Sequence, residues 1–168
     1  MNSSSESRFL RTLFAVLRIV LGVIILVTWW DNLQKGLYTA QGITDLLTHP
    51  DWGAFPNGGG ALPGYRPIIE STVLQVPGVF GAFQMVAELL IGLGLLFGAL
   101  TPLVGAGASF FFLNLLLTYF GNSQEWIWTY VLLFAVAVVI TLARAGRELG
   151  IDKILLRKFG KPPLGILW

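Results

Sequence analysis

Four long apolar blocks constrain the fold of this chain more than any other feature. They run over residues 10–30, 77–100, 103–120 and 126–143. A helix needs about 20 apolar residues to cross a bilayer, where every backbone polar group must be bonded internally. With 55% hydrophobic and 12% charged residues, the chain is also too apolar for a soluble domain of this size. The pattern predicts an all-α integral membrane protein, a single domain over 1–168 built as a four-transmembrane-helix up-and-down bundle.

The cations indicate how this bundle is oriented. The loops 31–76 and 121–125 hold Lys35 and Arg66, whereas eight cations flank the other helix ends: Arg8, Arg11, Arg144, Arg147, Lys153, Arg157, Lys158 and Lys161. Because positive residues stay inside, both termini are predicted to be cytoplasmic in a multi-pass protein of the cell (plasma or cytoplasmic) membrane. The basic balance is thus a topology signal. We expect membrane lipids and other membrane subunits as partners, and no nucleic acid.

The segments outside the blocks also carry structural signals. The first block is expected to be retained, since Arg18 interrupts it and TWWDN lacks a small-residue cleavage site. In the outer loop 31–76, one short helix is predicted over 38–48 and a second from Pro67 to just before Pro77. We expect this loop to fold as a cap over the bundle. Segment 144–168 is predicted to be a cytoplasmic amphipathic tail.

Arg18 and Glu88 are ionisable residues inside the first and second blocks. A charge at membrane depth is costly and normally faces a partner inside the bundle. Counted from Trp30 and Pro77 at the outer boundary, both residues lie about 16–18 Å deep at 1.5 Å per residue. The sequence therefore predicts an intramembrane Arg18–Glu88 ion pair. Two roles stay open: the pair pins helix packing, or it lines a site for a polar headgroup or a proton.

Four further residues are candidate contacts for a headgroup, a quinone or a partner: Lys35, His49, Trp52 and Asn114. For His49 a structural or exposed role is the alternative, and for Asn114 an interhelical hydrogen bond. The chain has no cysteine and one histidine, which excludes thiolate chemistry, iron–sulfur clusters, zinc–thiolate sites and a bis-histidine haem. We therefore expect no metal site and no covalently bound or metal-ligated cofactor, with quinone or lipid as candidate ligands.

Several short motifs resemble the DoxX/DoxD family of small four-helix membrane proteins. They are LRIVLG with Arg18 and Gly22, WWDNLQKG with Lys35, AELLIGLGLLFGALT with Glu88, and RAGRELGIDKIL. The last is similar to the closing family signature, matched here by Gly146, Arg147 and Asp152. The long loop after the first helix is closer to the DoxD branch, the membrane subunit of thiosulfate:quinone oxidoreductase.

The resemblance implies a function in a membrane complex. It favours a DoxX/DoxD-like subunit that is an accessory or anchoring component of a respiratory, photosynthetic or quinone-linked oxidoreductase, with quinone as a candidate contact. Such a subunit is at most part of an enzyme and carries no redox cofactor of its own. The alternatives are a small proton-coupled transporter and a stand-alone thiosulfate:quinone oxidoreductase membrane subunit.

Overall fold

The structure, a computed structural model, describes residues 3–55, 60–160, 162 and 167–168, with side chains from Glu6 onwards. Lys161, one of the eight cations above, lies outside the described residues. Two 3₁₀ turns, Val73–Gln75 and Ala145–Arg147, accompany seven helices: α1 Ser3–Gln34, α2 Ala40–Thr48, α3 Tyr65–Ser71, α4 Pro77–Phe97, α5 Thr101–Thr118, α6 Trp128–Ala143 and α7 Ile151–Phe159. The described ranges contain no strand, so the predicted all-α class is confirmed.

Three of these helices are long and apolar enough to cross a membrane. They are Glu6–Gln34 within α1, Pro77–Phe97 and Thr101–Thr118. The fourth apolar helix, α6, has 16 residues and is about 24 Å long at 1.5 Å per residue. The chain is therefore a multi-pass membrane protein, whereas a fourth crossing and the cytoplasmic termini stay predictions.

The α1 helix is longer at both ends than the predicted block 10–30. It packs on α4 at unusually close range, because Gly22 lies against the backbone of Leu96 with no room for a Cβ atom. Nearer the other end, the indole of Trp29 donates a hydrogen bond to the carbonyl of Met85 at 2.9 Å. These contacts determine which residues of α1 and α4 lie at the same level.

The helices bury two separate apolar cores. The first lies inside the bundle, where α5 packs on α6 and α1 on α4 and α6. Its buried residues are Leu21, Ile25, Leu95, Ala108, Phe112, Ala137, Ile140 and Ala145. The second lies between the α1–α4 connection and the end of α5, and consists of Ile43, Leu47, Ala54, Phe55, Ile69, Val73 and Tyr119. We call the end of the bundle at this second core the loop end, and the opposite end, at α7, the terminal end.

Helix boundaries in the α1–α4 connection differ slightly from those predicted. Helix α2 begins at Ala40 because Thr39 caps it, its hydroxyl accepting a hydrogen bond from the Gly42 N–H at 3.0 Å. Helix α3 begins at Tyr65, two residues before Pro67, and gives way to the 3₁₀ turn before α4. The amphipathic segment predicted after α6 contains α7, which ends at Phe159.

Candidate functional site

A cavity of about 480 Å³ opens at the loop end between α4 and α5, with α2 and α3 over it. Most of its wall is apolar, including Leu46, Ile68, Phe80, Phe83, Ile91 and Phe110. Phe83 and Phe110 are 67% and 69% exposed, so the gap between α4 and α5 faces the outside of the bundle. A cavity of this size and lining suits a ring-sized apolar ligand.

Polar side chains line one part of this cavity. The Tyr65 hydroxyl donates to Oδ1 of Asn114, and the Asn114 amide donates to the carbonyl of Phe110 at 2.7 Å. Helix α3 brings Tyr65 here because the Leu62 N–H donates to the Leu117 carbonyl at 2.9 Å, joining the start of α3 to α5. Burial raises the pKa of Tyr65, so its phenol stays protonated and keeps its donor at neutral pH. Asn114 retains one amide hydrogen for a ligand.

Gln84 connects the cavity to a buried acid. Its side chain lines the cavity, and its Nε2 donates to Oε1 of Glu88 at 2.7 Å. The two residues are one helical turn apart on α4, a spacing at which side chains on one helix face meet. Gln84 is therefore shared between the cavity and Glu88.

Glu88 is 2% exposed and closed off by Tyr38. The Tyr38 hydroxyl donates to Oε2 of Glu88 at 2.5 Å, and the Asn32 side chain faces both groups. Burial, followed by the hydrogen bond to Glu88, raises the pKa of Tyr38, so the phenol remains a donor. Both carboxyl oxygens of Glu88 therefore accept hydrogen bonds from neutral side chains.

Arg18 lies at the terminal end, away from this site. It is fully buried, and its Nη2 donates to the carbonyl of Leu149 at 2.9 Å. The three ion pairs of the described residues, Lys35–Asp31, Arg66–Glu70 and Lys153–Glu148, include neither Arg18 nor Glu88. The predicted Arg18–Glu88 pair is thus corrected: the structure gives each residue different partners.

The position of α4 along α1 explains why Arg18 and Glu88 do not meet. The depth count assumed that Trp30 and Pro77 share one boundary, but α1 continues to Gln34 and Gly81 packs on the Tyr38 carbonyl. Arg18 instead reaches Gly98, ten residues beyond Glu88 and about 15 Å further along α4. Glu88 therefore lies near the middle of α4, whereas Arg18 lies at its C-terminal end.

Two of the three residues predicted as the family signature, Gly146 and Asp152, lie in the region of Arg18. Asp152, 1% exposed, accepts hydrogen bonds from the N–H groups of Leu100 at 2.6 Å and Thr101 at 2.8 Å, and it attracts the Arg18 guanidinium. Gly146 packs against the side chains of Thr101 and Asp152 with no space for a Cβ atom. Arg147 donates to the main-chain oxygen of Trp168 at 2.7 Å. This cluster joins α1, the α4–α5 turn and α7.

The remaining candidates divide between the cavity and the surface. Asn114 lines the cavity. Lys35, with a side chain 60% exposed, pairs with Asp31 beside it. His49 and Trp52 stack on each other with ring centroids 4.7 Å apart, and neither is among the residues that line the cavity.

Sequence reasoning missed Gln84 and Tyr38 as site residues, and it did not predict the contact of Tyr65 with Asn114. For Gln84 a signal was present, since it stands four residues before Glu88 and shares its helix face. The two tyrosines lie outside the apolar blocks, and only the folding of the α1–α4 connection brings them to the site.

Comparison with known proteins identifies the family of this chain. The family model described as "TQO small subunit DoxD" matches residues 57–168, which is 112 of the 168 residues and includes α3 to α7. No curated protein matches the chain, and no solved structure does. The match covers Gln84, Glu88, Tyr65 and Asn114 and so includes most of the site. The chain belongs to the DoxD family of membrane proteins.

Proposed function

We propose that this chain is the membrane subunit of a complex of the thiosulfate:quinone oxidoreductase type, and that it binds the quinone in the cavity between α4 and α5. The observation that carries this proposal is the cavity itself. It combines an apolar wall with a few polar side chains, as expected of a site for an aromatic ring bearing two carbonyl oxygens.

The available hydrogen-bond donors fit a quinone carbonyl. One amide hydrogen of Gln84 is used by Glu88 and one of Asn114 by Phe110, which leaves one on each side chain. An isoprenoid tail would leave between Phe83 and Phe110 into the lipid, because these rings are exposed on the side of the bundle.

Thiosulfate oxidation is assigned in this proposal to another subunit. The family description names a small subunit, which implies a larger one. Among the described residues no group of three or more His, Cys, Asp or Glu side chains could hold a metal ion. This chain would anchor its partner at the membrane and supply the quinone site.

Quinone binding tests the proposal directly. The full chain is placed in lipid nanodiscs and titrated with ubiquinone-1 and menadione, with fluorescence of the cavity tyrosines as the signal. In Gly107→Phe a ring fills the cavity, since the nearest atoms to a Cβ atom there are those of Ile91 at 3.7 Å. We expect the affinity for the quinone that binds to fall at least about tenfold.

The neighbouring residue offers a matched control. Ala106 is exposed on the outer face of α5, so Ala106→Phe adds the same ring outside the cavity. Its quinone affinity is expected to stay within about twofold of wild type. If wild type binds neither quinone, or both variants lose affinity equally, the cavity is not a quinone site.

Proton-coupled transport is the second candidate, favoured by one observation. Glu88 is a buried carboxyl group with no ion-pair partner among the described residues, as expected of a group that carries protons through a membrane protein. A transporter would move protons into liposomes when a thiosulfate gradient is applied. A quinone-binding subunit would not.

A further inference from the structure

The surroundings of Glu88 determine what the acid can do. It is buried within α4, where a carboxylate without a cation is costly. Its neighbours are Asn32 on α1, Tyr38 before α2 and Gln84 on α4, all of them neutral hydrogen-bonding groups. In such surroundings the neutral, protonated form of a carboxyl group is favoured over the carboxylate.

The charged groups on the neighbouring elements are engaged elsewhere. On α1, Asp31 pairs with the Lys35 that follows the helix, and both side chains are more than half exposed. On α2, Asp45 accepts a hydrogen bond from Gln41. Helix α5 contains no Lys, Arg, His, Asp or Glu. Among the described residues of these elements, none offers Glu88 a counter-ion.

The two hydrogen bonds of Glu88 lead in different directions. Through Oε1 the carboxyl group meets Gln84, which lines the cavity. Through Oε2 it meets Tyr38, which lies in the turn between α1 and α2 at the loop end. Glu88 therefore lies between the cavity and the turn that follows α1, where Tyr38, 7% exposed, is its hydroxyl donor.

We propose that Glu88 is the proton-binding group of the cavity, and that it passes a proton to a quinone reduced there. This rests on the proposed function. Two thiosulfate anions at the partner subunit each lose one electron as a sulfur–sulfur bond forms between them. The quinone takes up both electrons and two protons, and each carbonyl oxygen becomes a hydroxyl group.

Glu88 delivers these protons one at a time. The Gln84 side chain rotates away from Oε1 of Glu88. The O–H bond of the carboxyl group then breaks as an O–H bond forms on the quinone. The Tyr38 hydroxyl then gives its proton to the Glu88 carboxylate and takes another from water at the loop end. Gln84 acts as the gate between the carboxyl group and the cavity.

Rapid mixing tests this role in the full chain. Menadione or ubiquinone-1, whichever binds, is loaded into nanodiscs and reduced with the methyl viologen radical cation, an electron donor that releases no protons. Proton uptake is followed with a pH-sensitive dye. Glu88→Gln keeps one carbonyl oxygen as the acceptor for Tyr38, and its amide can donate to the Gln84 carbonyl once the Gln84 side-chain amide rotates. It cannot donate a carboxyl proton. We expect its quinone affinity to stay within about threefold and its proton uptake to slow at least about tenfold. Its pH–rate profile should be flat where that of wild type falls as pH rises.

Two further variants complete the test. Tyr38→Phe removes the hydroxyl and leaves Glu88 in place, so it should also slow proton uptake. If Glu88→Gln does not fold, this variant tests whether Glu88 receives its proton through Tyr38. Glu125→Gln changes an acid at the loop end that accepts a hydrogen bond from Tyr130, and it should behave as wild type.

Wild-type rates of proton uptake in both Glu88→Gln and Tyr38→Phe would overturn the proposal. So would a loss of quinone binding and proton uptake in equal measure. Failure of wild type to bind quinone would instead overturn the proposed function.

Discussion

At the scale of single residues, Arg18 shapes the terminal end through the glycines that it contacts. Its guanidinium lies against Gly98, the residue that ends α4 with a φ of 63°. Gly150 lies next to Gly98 and packs against the same guanidinium nitrogen. A side chain at either glycine would occupy the space that Arg18 fills, so the buried cation and these glycines depend on one another.

Gly98→Ala is expected to destabilise the protein by about 2–4 kcal/mol, because it combines left-handed backbone strain with a clash against Arg18. Gly36→Ala is the matched control. Gly36 has a φ of 69° but no atom within 4 Å of where a Cβ atom would lie, so only the strain of about 1 kcal/mol applies. Unfolding in mixed detergent micelles measures both. Equal losses would show that Arg18 does not confine Gly98.

Asp152→Ala should cost about 3 kcal/mol in the same measurement. It leaves the Leu100 and Thr101 N–H groups without their acceptor and removes the negative charge nearest to Arg18. Glu148→Ala on the same segment loses a partly exposed pair with Lys153 and should cost less than about 1 kcal/mol. A small effect of Asp152→Ala would mean that Arg18 needs no compensating charge.

At the scale of the elements, the two short helices of the α1–α4 connection complete the cavity. Helix α2 contributes Leu46 and Leu47 to the wall, and α3 contributes Tyr65. Both helices are shorter than isolated helices that are stable in water, so they depend on tertiary packing and on caps. The cavity is therefore sensitive to changes that loosen either helix.

Thr39→Ala removes the hydroxyl that caps α2 and should destabilise this helix by about 1 kcal/mol. Amide hydrogen exchange of α2 should become faster, while exchange in α4 and α5 stays as in wild type. Thr48→Ala at the other end of α2 is the control, since its exposed hydroxyl only bonds back to the Thr44 carbonyl. Unchanged exchange in Thr39→Ala would show that core packing alone holds α2.

At the scale of the whole molecule, the two ends of the helix bundle contain different functional groups. The loop end holds the cavity, Glu88 lies midway along α4 beside it, and the terminal end holds Arg18 with Gly98 and Asp152. The four-crossing prediction places the loop end outside the cell and the terminal end in the cytoplasm. Quinone would then take up protons from the outer side.

Single cysteines test this topology cleanly, because the chain contains none. Thr48→Cys at the loop end should react with a membrane-impermeant maleimide on intact cells. Lys158→Cys on α7 should react only after the membrane is opened. If both positions react on intact cells, the four-crossing topology is wrong.

Much of the fold could be predicted because it depends on local patterns. Apolar blocks close to the length of about 20 residues that crosses a bilayer predict membrane helices. Pro102 and Pro77 lie in the first turns of α5 and α4, where proline is favoured. Arg18 and Glu88 could also be recognised as important, because an ionisable residue inside a membrane helix is costly and needs a partner. The identity of their partners could not be predicted from the sequence.

The sequence by itself determined that this is an all-α membrane protein with two ionisable residues, Arg18 and Glu88, inside its apolar blocks. The tertiary structure decided which groups meet those charges. Close packing of Gly22 on Leu96 and the extension of α1 to Gln34 set the helix levels, and these contacts are non-local. They bring Arg18 to Gly98 and Asp152, while the folded connection brings Tyr38 to Glu88 and Tyr65 to the cavity. Hydropathy is insensitive to such shifts, because sliding one apolar helix along another leaves the apolar pattern unchanged.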